Sequence, residues 1–76
     1  MARLKALKPE EVMRALERAG FYVHHKTGGH SQLRHREKHH LRVTVPSHSR
    51  FDLPLSVIHS ILKQAGVSRE KFKEFL

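Results

Sequence analysis

The sequence predicts an α+β domain in the order α-β-β-β-α, a three-stranded antiparallel sheet with helices packed on one face and a short extra helix at the C-terminus. Three observations predict it. Apolar residues recur at helical spacing near both ends of the chain, the middle alternates with period two, and glycines fall where the pattern changes. At 76 residues there is room for one domain, taken as 1–76, with no linker, repeat or low-complexity tail to divide it.

The first helix opens at Pro9, which suits a first turn, and Glu10 and Glu11 follow where negative charge complements the helix dipole. Val12, Met13, Leu16 and Ala19 fall at helical spacing, and Gly20 stands where a left-handed cap is expected. Phe21, Val23 and His25 then alternate with Tyr22, His24 and Lys26. Leu33 and His35 alternate with Gln32, Arg34 and Arg36, and Leu41, Val43 and Val45 with Arg42 and Thr44. One apolar side with period two marks a half-buried strand. The second helix is expected from an Asp52 N-cap, with Leu55, Ile58, Ile61, Leu62 and Ala65 as its apolar stripe and Gly66 closing it. Ser68 caps the last helix, where Val67 and Phe72 fit a hydrophobic staple and Phe72 and Phe75 are expected to cover the core.

Strand parity predicts which residues meet, because cross-strand partners point to the same side of a sheet. A three-residue loop Thr27-Gly28-Gly29, with Gly29 left-handed, pairs Val23 with Leu33 and sets Lys26 opposite His30. A loop Glu37-Lys38-His39 pairs Leu33 with Val43, Gln32 with Thr44 and Arg34 with Arg42. On this register the face away from the helices carries Tyr22, His24, Lys26, His30, Gln32, Arg34, Arg42 and Thr44. It is basic and rich in hydrogen-bonding groups. Arg34 opposite Arg42 is a like-charge pair that a bound phosphate would relieve; the competing reading is a solvated face whose long side chains splay apart.

Composition narrows the function. The net charge of +8 with histidine neutral and a pI near 10.7 favour a polyanionic partner, most simply nucleic acid. With no cysteine there are no disulfides, thiolate metal sites or cysteine nucleophiles. No apolar run approaches the roughly 18 residues of a spanning helix, and the N-terminus lacks a signal-peptide stretch, so a cytoplasmic setting is expected.

Histidine is the side chain most often used for proton transfer near neutral pH, and the chain has eight. His24, His25, His35, His39, His40 and His59 have no distinctive local setting and suit surface or packing roles. His30 follows Gly28-Gly29 at the mouth of a hairpin, where glycines let a phosphate approach the backbone. His48 lies just past the third strand, at the end that the register places beside His30. No His-x-x-x-His pair has an acid nearby on one helix, so no metal site and no cofactor are expected. Ser31, Ser47 and Ser49 lie near histidines but form no G-x-S-x-G nucleophile elbow.

Four segments carry a resemblance along nearly the whole chain. Ala19-Gly20-Phe21-Tyr22-Val23 looks like a G-F entry into a first strand, and Gly28-Gly29-His30 is similar to a G-S-H motif with glycine replacing serine. Val43-Thr44-Val45-Pro46-Ser47-His48 looks like V-x-V-P-x-H, and Ile58 to Gly66 is similar to a helix ending in R-x-I-L-K-Q-A-G. In this order they resemble the HicA family, small messenger-RNA-cleaving toxins of bacterial and archaeal toxin–antitoxin pairs. The resemblance implies a double-stranded-RNA-binding-domain-like fold, ribonuclease activity with the G-S-H histidine as the catalytic residue, here His30, and a HicB-type antitoxin partner. The departure at Gly29 removes a hydroxyl from the turn.

RNA brings its own nucleophile, the 2′-hydroxyl, so a metal-free nuclease needs a base, an acid and cationic stabilisation of the transition state. His30 is the expected base or acid and His48 the candidate second proton carrier. Lys26, Gly28, Gly29, Gln32, Arg34 and Arg42 are the expected RNA contacts. The rival readings are a non-catalytic RNA-binding module of the same fold, or a DNA-binding or purely structural partner protein.

Overall fold

A computed structural model describes residues 4–47 and 50–76. Helix α1 (Pro9–Arg18) begins as expected, with Pro9 in its first turn and Glu10 and Glu11 beside it. The Lys8 N–H donates to the Glu11 carboxylate at 3.4 Å, occupying one of the donors a helix start leaves free. Val12, Ala15 and Leu16 form the buried stripe. Gly20 follows with φ +103°, and a Cβ there would lie 2.6 Å from His35 Nε2. Glycine is thus required twice, by the backbone angle and by the approach of the imidazole.

Strands β1 (Phe21–Thr27), β2 (His30–His35) and β3 (Arg42–Val45) form one antiparallel sheet in sequence order. The second hairpin has the expected register: Gln32 opposes Thr44, Leu33 opposes Val43 and Arg34 opposes Arg42. The first hairpin begins as expected, with Val23 opposite Leu33, and then departs. A bulge at His24 shifts the register, so His25 opposes Gln32, Lys26 opposes Ser31 and Thr27 opposes His30. The expected Lys26–His30 pairing is therefore replaced. The turn is the two residues Gly28-Gly29, and Gly28, with φ +51°, takes the left-handed position assigned to Gly29. A two-residue turn alone would invert the parity of the hairpin, and the bulge restores it at Val23.

Phe21, Leu33, Val43 and Val45 turn to the helices and meet Val12, Leu16, Ile58, Ile61 and Phe72, all buried. Val23 shares that side but sits on the sheet edge and stays 38% exposed. Edge strand β3 has the Thr44 N–H covered by the side chain of Gln64, whose Oε1 accepts at 3.0 Å.

Helix α2 (Leu55–Ala65) starts at Pro54 rather than at the expected Asp52 cap. The cause is an antiparallel bridge between Leu7 and Leu53, with N···O distances of 3.2 and 2.7 Å, which holds the chain extended to that point. Gly66 closes α2 in the left-handed region, φ +68°. Helix α3 (Arg69–Phe75) is capped by Ser68, whose Oγ accepts from the Lys71 N–H at 3.1 Å. It lies against α1 and α2. Arg18 of α1 donates to the Phe75 carbonyl at 2.6 Å, and Phe72 is fully buried, as expected of a helix that covers the core.

His35 has the packing role expected of it, with specific chemistry. Its Nδ1 accepts from the Glu37 and Lys38 N–H groups at 3.1 and 3.0 Å. A carbonyl only accepts, so Nε2 donates to Ala19 O at 3.0 Å. The ring also meets Phe21 edge-on, centroids 4.9 Å apart. One imidazole thus joins the end of β2, the following loop and the end of α1.

Candidate functional site

The bulge at His24 decides what surrounds His30. Beyond it, β1 side chains exchange faces: His25 and Thr27 join Gln32 and His30 on the outer side, and Lys26 joins Ser31 on the side of α1. His30, exposed, opens β2 at the rim where the two sides meet. A cleft of about 350 Å³ lies there between the hairpin tip and α1. Lys26, Gly28, His30, Ser31 and Ser47 form one wall, and Glu10, Met13, Arg14 and Glu17 form the other.

Each side chain has a local reason for its place. Gly28 carries no side chain, and a Cβ built on it would meet nothing within 4 Å, so the turn leaves open space over the backbone. Ser31 is fully buried, and its Oγ pairs with Ser47 Oγ at 2.5 Å. That bond ties the segment leaving β3 to the base of the cleft. On α1 the four residues fall at i, i+3, i+4 and i+7, one helical face. Among the described residues, none of Glu10, Arg14, Glu17 and Lys26 has an opposite charge within 4.0 Å, so all four charges are unspent.

Of the expected RNA contacts, Lys26 and Gly28 converge with His30 in the cleft. Gln32, Arg34 and Arg42 lie elsewhere, on the outer sheet face. Arg34 opposes Arg42 there, with no carboxylate in ion-pair range of either among the described residues. Tyr22, opposite Arg34, has the Arg36 guanidinium 5.4 Å from its ring centroid. Gly29 forms the second half of the turn and is half-buried. His48 lies outside the described residues. No three His, Asp or Glu side chains converge as metal ligands among the described residues.

Sequence reasoning missed the α1 wall and the Ser31–Ser47 pair. The α1 spacing was visible, but which of its residues meet the hairpin tip depends on how the buried stripe Val12, Ala15 and Leu16 sets the helix on the sheet. Ser31 could have been placed inside by parity with Leu33.

The order of elements, the glycine turn before His30 and the α2 ending Ile61-Leu62-Lys63-Gln64-Ala65-Gly66 now stand together. Residues 9–67 match the family model of the HicA toxin of bacterial toxin–antitoxin systems. The chain belongs to the HicA family. Comparison with curated proteins finds no match. The α+β architecture agrees with the double-stranded-RNA-binding-domain-like fold that the HicA resemblance implies. Membership makes the chain a toxin of a toxin–antitoxin system and implies an antitoxin partner. Among the described residues no helix is long and apolar enough to cross a membrane.

Proposed function

We propose that this HicA-family toxin is a metal-independent endoribonuclease that cleaves messenger RNA, with His30 transferring the proton. The observation that carries this reading is the convergence of an exposed imidazole, an ammonium unpaired among the described residues and a bare glycine turn in one cleft, at His30, Lys26 and Gly28. The 2′-oxygen attacks the adjacent phosphorus and loses its proton to a base, while the P–O5′ bond breaks and an acid protonates O5′. The products are a 2′,3′-cyclic phosphate and a 5′-hydroxyl. His30 takes one proton role, and His48 is the candidate for the other. Lys26 stabilises the charge that grows on the phosphoryl oxygens. Arg34, Arg42 and Gln32, on the outer face, hold the flanking backbone of the strand, and Gly29 lets it pass close to the turn.

The partner is a HicB-like antitoxin that covers the basic face, with acidic groups steering the encounter. The unpartnered Arg34–Arg42 pair favours a second reading, an RNA-binding module without chemistry. One experiment separates them. Purified protein is incubated with messenger RNA in EDTA, and the 3′ ends of the products are analysed. Cyclic phosphate ends, absent with His30→Ala, are the expected result. Intact RNA that is nonetheless bound supports the second reading, and activity lost to EDTA and restored by a defined metal overturns the metal-free mechanism.

A further inference from the structure

The cleft holds two carboxylates where an anionic substrate must enter, although the chain has only seven acidic residues against fifteen Lys and Arg. A carboxylate repels phosphate, so these groups serve something else. Glu10 has a structural reason to be there, since it sits in the first turn of α1, where the helix dipole favours an anion. Glu17 has none. It lies in the last turn of α1, where the dipole disfavours negative charge, and no cation pairs with it among the described residues. It is exposed on the cleft wall, one turn from the half-buried Met13. Helix stability alone would place a neutral or basic residue at this position.

We infer that Glu17 is a specificity-determining residue that reads the base of a nucleotide bound in the cleft, and that the base it selects is guanine. This rests on the nuclease reading above for the identity of the substrate. The volume of about 350 Å³ is at the small end of ligand clefts, about 300–1,000 Å³, and suits one unstacked nucleotide. Sequence-specific RNA recognition works on splayed bases through their Watson–Crick edges. With the phosphate at Lys26 and His30, the base crosses toward α1 and lies on the Met13 side chain. A carboxylate offers acceptors only, two oxygens side by side. Guanine alone presents two adjacent donors, the ring N1–H and the exocyclic amino group. Adenine and cytosine present an amino group beside a ring acceptor, and uracil an N–H between two carbonyls. Each of these turns at least one lone pair toward Glu17.

The test maps cleavage sites on an RNA of balanced composition for the wild-type protein, Glu17→Gln and Glu17→Ala. A second assay, in the His30→Ala background so that no RNA is cut, measures affinity for short single strands containing guanine, inosine or uracil. Sites at guanine should exceed those at uracil by at least about fivefold, because one good bidentate base contact discriminates by about 5- to 150-fold. Inosine, which lacks the amino group, should lose most of that advantage. Both Glu17 variants should flatten the preference while cleavage summed over other sites stays within about threefold, and thermal stability should not fall. An unchanged site spectrum in Glu17→Ala overturns the inference, and so does an equal loss at every site, which marks a proton-transfer or structural role. If nothing is cleaved but guanine strands bind selectively through Glu17, base reading stands and the nuclease reading fails. If neither assay shows a guanine preference, the inference is wrong.

Discussion

Hairpin β2–β3 keeps one register from Ser31–Val45 to Arg34–Arg42, whereas β1–β2 changes register at His24 and ends in a bare glycine turn. Beside the regular hairpin, His35 makes three hydrogen bonds that close its loop onto α1. At the bulged hairpin, His30 and Lys26 line the cleft, and among the described residues neither side chain has a hydrogen-bond or ion-pair partner. Two histidines five residues apart on one strand therefore differ in their bonding: His35 is saturated, whereas His30 makes no side-chain hydrogen bond among the described residues. What separates a packing histidine from a candidate catalytic one is thus the set of bonds already made, which residue type cannot reveal.

The largest effect expected from breaking this contrast is at His30. His30→Ala should lower RNA cleavage by at least about 100-fold, the lower bound for losing a general acid or base. The melting temperature should hold, and an active, folded variant would remove His30 from the mechanism. Gly20→Ala should do the reverse, destabilising by about 2–3 kcal/mol through its positive φ and the collision with His35. Thermal denaturation reads this as a fall of roughly 10 °C or more. His35→Ala comes next, costing about 1–3 kcal/mol because two backbone N–H groups and the Ala19 carbonyl lose their partner. If its cleavage rate, measured well below the melting temperature, fell as far as that of His30→Ala, the division of labour between the two histidines would be wrong.

A smaller effect sharpens the role of the bulge. Lys26→Ala should lower cleavage by about tenfold, roughly the contribution of one charge-assisted contact of 1.5 kcal/mol. Deleting His24 removes the extra residue but leaves Lys26 opposite Ser31, so it should cost less than Lys26→Ala. The smallest effect is on the outer face. Arg42→Ala should reduce the salt dependence of RNA binding by about one unit of slope. Charge reversal at Arg34 or Arg42 should weaken both RNA and antitoxin binding, while reversal at Lys73 on α3 leaves both near wild type. Titrations at several salt concentrations distinguish these cases.

The contrast also explains what could be read from the residues. The β2–β3 register was legible because Leu33, Val43 and Val45 all need the core, which excludes every one-residue slip, and a short connecting loop favours the remaining alignment that is observed. The first hairpin had too few such constraints: past Val23 the strand carries His24, His25, Lys26 and Thr27, none of which needs burial, so a shift there has no hydrophobic penalty. The start of α2 was misplaced for a related reason. Asp52 has the chemistry of a cap, but the pairing of Leu53 with Leu7 is non-local and leaves no trace in the neighbouring residues. The glycines were legible where the backbone demanded them, at Gly20 and Gly66. Which of Gly28 and Gly29 turns left-handed depended on the bulge. The catalytic candidate was accessible through its glycine turn, whereas the opposite cleft wall required knowing how α1 lies across the hairpin.

The Leu7–Leu53 bridge has a consequence for the order in which the chain folds. It joins the segment before α1 to the segment before α2, enclosing α1 and every strand in a single covalent loop. Local pairings such as the two hairpins close short loops and form early, while a contact of such sequence separation is made only after most of the enclosed chain is in place. The entropy of closing that loop grows slowly, by about 0.6 kcal/mol per doubling of its length, so the preformed sheet lowers the cost by shortening the effective loop. The two backbone bonds then act as a late latch. Weakening them should speed unfolding and leave the folding rate nearly untouched, placing Leu7 and Leu53 among the positions that set how long the native state lasts.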